Sequence, residues 1–191
     1  MRGFSGRLSQ LPKMGSHVRQ QPPKMSGADT ALFETQFYGR MVRDVAREID
    51  WQREHPNEIA GNLLCALALV VYTEVLGRVA IEQLERRFAK NNPHAFNTFL
   101  DRMGDGSYRR WRKVWEKGHT PHTIHDVLRN GLVHTYIPMK ATTKFWFYFE
   151  ESENFGLGEE PSFDLVLKIR PYHEDFIRAG DQLFAELRQA Q

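Results

Sequence analysis

The chain has 191 residues, enough for one domain with a proper hydrophobic core and too few to suggest two. With 41% hydrophobic and 26% charged residues its composition is that of an ordinary globular protein, and its single cysteine, Cys65, rules out an internal disulfide. Cys65 lies in the apolar run NLLCALALVVY, where a free thiol behaves as a small buried hydrophobe, so a reducing, cytoplasmic setting is expected.

The formal net charge of +2 conceals an asymmetry. Residues 1–28 carry Arg2, Arg7, Lys13, Arg19 and Lys24 without one acidic residue, a charge of +5, which leaves −3 for the remaining 163 residues. Rich in Gly, Ser, Gln and Pro and lacking a sustained period, this segment is expected to be a disordered basic tail. Such tails bind nucleic acid or serve as transit peptides. An appendage foreign to the fold, with Met25 as the true start, is the plainer alternative.

From Asp29 to the end the pattern is that of one mainly α domain. ALFETQFYGRMVRDVAREIDW places Phe33, Phe37, Met41, Val45 and Ile49 at steps of four, a drifting stripe on one helical face, with Asp29 or Thr30 as cap. After Pro56 and Asn57, a long second helix is predicted from Glu58 to about Phe88. It is apolar nearly all round in its first half, as befits the centre of a bundle. The apolar positions between Asn62 and Glu74 number about a dozen, short of the ~20 that a bilayer needs, so no membrane span is expected. A short helix capped by Asn92, with Pro93 in its first turn, should stop at Gly104 or Gly106. SYRRWRKVWEKG then suggests one or more helical turns ending at Gly118. The next helix has Thr120 as cap, Pro121 at its first position, the apolar set Ile124, Val127, Leu128, Leu132 and Val133, and Pro138 as its end.

Beyond Pro138 the period changes to two. Phe145, Phe147 and Phe149 alternate with Trp146 and Tyr148; Phe163, Leu165, Leu167 and Ile169 alternate with Asp164, Val166, Lys168 and Arg170. The acidic, Gly-containing segment between them reads as a hairpin loop, giving a β-hairpin over about 143–170. A last helix follows, entered at Pro171, with Phe176, Ala179, Leu183 and Leu187 on one face. The expected architecture is a helical bundle with a β-hairpin inserted before the C-terminal helix.

Within DVLRNGLVHTYIPMK, Asn130 and His134 stand four residues apart, ~40° from each other on one helical face, and the long side chain of Arg129 can reach round to them. A fixed cation, an amide and an imidazole in one small volume suffice for metal-free RNA cleavage. The imidazole moves protons near neutral pH, and the guanidinium stabilises charge on a phosphoryl group. The same residues also fit the polar side and last turn of a packing helix, where a histidine interacts well with free carbonyls.

Arg129, Asn130 and His134 in LRNGLVH resemble the Arg-x4–6-His signature of the HEPN superfamily (higher eukaryotes and prokaryotes nucleotide-binding), including the polar residue after the arginine. HTYIPMK, the hairpin and the terminal helix look like a bacterial branch of that superfamily, and the resemblance runs from about Asp29 to the end. It implies a metal-independent endoribonuclease without a cofactor, of the kind found in toxin–antitoxin, anti-phage and RNA-processing systems. His134 would be the acid/base, Arg129 the phosphate stabiliser and Asn130 the residue shaping the site. It further implies a homodimer whose two motifs face each other across a cleft, with RNA as substrate and an antitoxin or other protein as a further partner. Other HEPN proteins serve as non-catalytic binding or dimerisation modules, the contrasting expectation here.

In YRRWRKVW, Arg109, Arg110, Arg112 and Lys113 stand among Tyr108, Trp111 and Trp115, a mixture suited to RNA because cations neutralise phosphates and aromatics stack on bases. Trp111, Val114 and Trp115 equally fit a helix burying its apolar side. His119, His122, His125 and His134 lack a supporting Cys or a His-Glu-x-x-His pattern, and no metal site is expected. Glu74, in the apolar long helix, needs a partner; Arg78 at i+4 is the plain candidate and Arg129 the functional one.

Overall fold

In a computed structural model of the chain, residues 21–55, 62–114, 122–130, 145–148, 156–160 and 163–191 are described. Residues 1–20 of the expected tail, Thr120, Pro121, His134 and Pro138 lie outside them. Part of that tail is packed: Pro22 is buried, its carbonyl accepts from Arg86 at 2.9 Å, and Gln83 bonds both the Pro23 carbonyl and the Met25 N–H.

The first helix is a continuous rod of three parts: α1 (Gly27–Gln36), a π-helical stretch (Phe37–Val42) and α2 (Arg43–Glu54). Its cap is Ser26, not Asp29 or Thr30. The Ser26 hydroxyl accepts from the Asp29 N–H while the Asp29 carboxylate accepts from the Ser26 N–H, each at 3.1 Å, a capping box. Apolar residues at steps of four drift by about 40° per step along an α-helix. The wider π turn rotates less per residue and checks that drift, so Phe37, Val45 and Ile49 stay buried along one side.

The central helix α3 (Asn62–Gln83) is shorter at its C-terminal end than the predicted Glu58–Phe88, because Arg86 turns left-handed (φ 54°) and docks on the Pro22 carbonyl. By length and composition it could cross a membrane, yet half of its apolar window is buried within the fold, where it packs against the helices Asn92–Leu100 and Ile169–Gln189. In α4 (Asn92–Leu100) the cap is Asn91, one residue before the expected Asn92, and its side chain accepts from the His94 N–H at 2.9 Å. Three consecutive left-handed residues, Gly104, Asp105 and Gly106, then reverse the chain within a 3-10 segment (Met103–Arg112).

Two elements differ from their sequence patterns. The helical turns expected up to Gly118 give way at Lys113 to a short strand, β1 (Lys113–Val114), paired antiparallel with β2 (His122–Thr123). The following π-helical turn (His125–Asn130) therefore begins after the predicted start at Thr120–Pro121. The expected hairpin is also drawn differently: β3 (Phe145–Tyr148) pairs with β5 (Phe163–Lys168) in parallel, Phe145 opposite Leu165. The antiparallel hairpin is β4 (Leu157–Glu160) with β5, and the sheet order is β3-β5-β4. The sequence LGEE of β4 has no apolar alternation, so a pattern of period two passes over it, and only residues 161–162 separate it from β5.

Strand β5 runs straight into α5 (Ile169–Gln189), which starts two residues before Pro171. Phe176, Ala179, Leu183 and Leu187 are buried as predicted, and Tyr172 and Phe184 join them. Phe176 bridges the rod and α4 through ring contacts to Phe37 and Phe99, both 5.5 Å between centroids. A mainly α fold with a small sheet and an antiparallel hairpin before its last helix is thus established.

Candidate functional site

Glu74 is the hub of the site. It stands mid-way along α3 with only 9% of its surface exposed, so its charge requires a partner. That partner is Arg129, whose Nε donates to Glu74 Oε2 at 2.8 Å. The expectation that Arg78 would pair with Glu74 is corrected: Arg78 donates to Asn92 Oδ1 at 2.8 Å and lies 3.9 Å from Glu82, towards the start of α4.

His125 completes a group of three. Its Nε2 lies 3.4 Å from the same Glu74 oxygen, its ring meets Phe96 edge-on at 5.6 Å, and its Nδ1 is buried with no hydrogen-bond partner among the described residues. Burial pushes the imidazole pKa down, with the bond and charge of Glu74 opposing, so the ring is held neutral. A neutral ring facing a carboxylate carries its proton on Nε2, the nitrogen that donates. Oε2 then accepts from two donors, which occupies both of its lone pairs. In the sequence His125 stands out only as one of four histidines considered for a metal. Its signal was its position four residues before Arg129, on the same turn.

Of the three motif residues, the structure brings Arg129 to Glu74, and Asn130 closes the same π-helical turn. His134 falls outside the described residues. Among the described residues, no group of three or more His, Cys, Asp or Glu side chains is placed to hold a metal ion.

The basic segment divides. Arg109, Arg110 and Arg112 are exposed, whereas Tyr108 and Trp111 are buried and thus withdrawn from any base-stacking role. Arg112 donates its Nε to Asp101 at 2.6 Å, Arg110 lies over the Trp111 ring at 4.9 Å, and Lys113 opens β1. Tyr108 instead anchors a second buried polar network. Its hydroxyl donates to Asp175 Oδ2 at 2.5 Å and accepts from the Gly156 N–H at 2.8 Å, while Arg178 also donates to Asp175. A cleft of about 140 Å³ opens beside Asp175 and the left-handed turn. Its two arginines are already engaged, Arg178 by Asp175 and Arg102 by both oxygens of Glu186.

Comparison with family models, with curated proteins and with solved structures finds no match to this chain.

Proposed function

We propose that the chain is a metal-independent endoribonuclease of the HEPN type, acting as a cytoplasmic homodimer in a toxin–antitoxin or defence setting. The observation that carries this reading is the Glu74–Arg129 ion pair at 2.8 Å, in which a carboxylate from the central helix orients the arginine of the Arg129-Asn130-x3-His134 motif through its Nε. An arginine held this way is preorganised for a phosphate, because its side-chain freedom is already removed before the substrate binds.

In the proposed reaction His134 removes the proton of a ribose 2′-hydroxyl. The 2′-oxygen attacks the adjacent phosphorus as Arg129 stabilises the charge gathering on the phosphoryl oxygens. The 5′-oxygen then leaves with the proton that His134 took up, which restores the neutral imidazole, and the upstream fragment ends in a 2′,3′-cyclic phosphate. Asn130 shapes the site, and exposed Arg109 and Arg110, with Arg112 and Lys113, supply the cationic approach for RNA.

A second reading, the non-catalytic HEPN-like dimerisation or binding module, is favoured by one feature. The Arg129 side chain is 20% exposed and its charge is balanced by Glu74, as expected of an internal strut. The test is cleavage of mixed RNA in EDTA by the wild type and by His134→Ala, after both are shown to be equally folded. Cleavage by the wild type alone, with 2′,3′-cyclic phosphate ends, supports the nuclease. Intact RNA with both proteins, across structured and single-stranded substrates, supports the module.

A further inference from the structure

We propose that His125 is the positioning residue of this site, donating Nε2–H to Glu74 so that the carboxylate stays turned towards Arg129. The inference rests on the reading of Arg129 as the phosphate-holding residue, and it adds a residue outside the Arg129-to-His134 motif.

Three observations converge on it. Both His125 Nε2 and Arg129 Nε address one oxygen, Glu74 Oε2, at 3.4 and 2.8 Å. The two donors come from one π-helical turn and the acceptor from α3, so two residues of the turn are held on one atom of the central helix. The His125 ring is itself immobilised, with a 3% exposed side chain, the Phe96 ring against it, and Nδ1 enclosed.

The division of labour follows from chemistry. A carboxylate on a flexible two-carbon stem can rotate to present either oxygen in several directions, and a single arginine does not fix that rotation. A second donor on the same oxygen does. The long 3.4 Å contact suits steering; the 2.8 Å bond carries most of the attraction. The histidine is well suited because it adds a donor and no charge. A lysine or arginine there would compete with Arg129 for the Glu74 charge, and a phenylalanine would fill the space beside Phe96 without holding Glu74.

The decisive experiment is NMR on the intact chain, which reads positioning apart from activity. In the wild type at pH 7, long-range proton–nitrogen correlation is expected to show His125 protonated at Nε2 and bare at Nδ1. The Arg129 Nε–H is expected to exchange slowly. His125→Phe, which keeps the ring, should raise that exchange rate at least tenfold, and His125→Gln, which keeps a donor at a similar reach, should restore most of the protection. In RNA cleavage the same pair should split as a kcat loss for His125→Phe and recovery for His125→Gln. An Nδ1–H tautomer in the wild type overturns the proposal without any variant, as does unchanged Arg129 protection in a folded His125→Phe protein. Should the wild type cleave no RNA while the tautomer and protection are as expected, the nuclease reading fails and His125 remains the residue that holds Glu74 on Arg129.

Discussion

Gly77 of α3 lies directly on the Ala95 carbonyl of α4: a Cβ built at position 77 would stand 1.8 Å from that oxygen and 2.6 Å from its carbon. Both obstructing atoms are backbone, so no rotamer change relieves the overlap and the two helices must separate. Gly77→Ala is expected to destabilise the fold by about 3 kcal/mol, the upper end for overpacking a core. At roughly 2–4 °C per kcal/mol for a chain of this size, that lowers the melting temperature by about 6–12 °C. Thermal unfolding followed by circular dichroism checks it, and a variant as stable as the wild type would show that the helix crossing yields.

Tyr108 reaches 67 residues along the chain to Asp175 and receives the Gly156 N–H, so one hydroxyl joins the 3-10 segment, α5 and the entry to β4. Tyr108→Phe preserves the ring contact with Tyr172 but leaves a buried N–H unpaired and takes one donor from a buried carboxylate. The expected cost is about 1–3 kcal/mol, chiefly that of the unpaired Gly156 N–H. Arg178→Ala removes the other donor to Asp175 from a side chain that is 65% exposed, and should cost less. Urea midpoints of the two variants, at equal denaturant slope, rank them.

The parts legible in the sequence were those written in apolar spacing. The rod and α5 follow from a period of 3.6, the two alternating strands from a period of 2, and the central helix from its unbroken apolar run. Elements fixed by backbone geometry or by partners distant in sequence were not legible. The strand β4 has no alternating apolar residues, and the left-handed run Gly104–Asp105–Gly106 is a property of φ angles that the two glycines permit without dictating. At the site, Glu74 was recognisable as a carboxylate in need of a partner, yet Arg78 and Arg129 were equally charged candidates. Only the packing of the His125–Asn130 turn on α3 chooses between them.

That choice is measurable. Arg129→Ala and Glu74→Gln should each destabilise the protein, because each strands the polar remainder of a mostly buried pair. The double variant should be less unstable than the sum of the two, with a coupling of about 1–3 kcal/mol. Arg78→Ala combined with Glu74→Gln should be additive, since Arg78 bonds Asn92 instead. Coupling of Glu74 to Arg78 and none to Arg129 would reverse the assignment.

Cys65 is 2% exposed, and burial pushes its thiol up to about 12, so almost no thiolate exists near neutral pH. A thiol reagent such as a disulfide-forming chromophore should therefore react with the native protein at a rate set by unfolding. The reaction should accelerate in proportion to the unfolded fraction as urea is added. Rapid stoichiometric labelling without urea would show that the first half of α3 opens far more readily than the core around it.

The pH dependence of stability follows from two buried histidines. Burial lowers the pKa of His125, against the bond to Glu74, and lowers that of His173, against the bond from its Nε2–H to the Val42 carbonyl at 3.2 Å. The unfolded chain binds protons at these positions near the ordinary value of about 6.5, before the folded chain does. Below that pH the unfolded state therefore holds more protons, so stability rises with pH there. The full stability is present above about pH 6.5 and is lost progressively as the pH falls towards and through the folded-state values. Urea midpoints between pH 7.5 and 5 should fall on acidification, in a range above the main carboxylate titrations. His173→Gln keeps a donor for the Val42 carbonyl while removing a titrating group, so it should flatten the slope, and combining it with His125→Gln should flatten it further. An unchanged slope in that double variant would assign the acid sensitivity to groups other than His125 and His173.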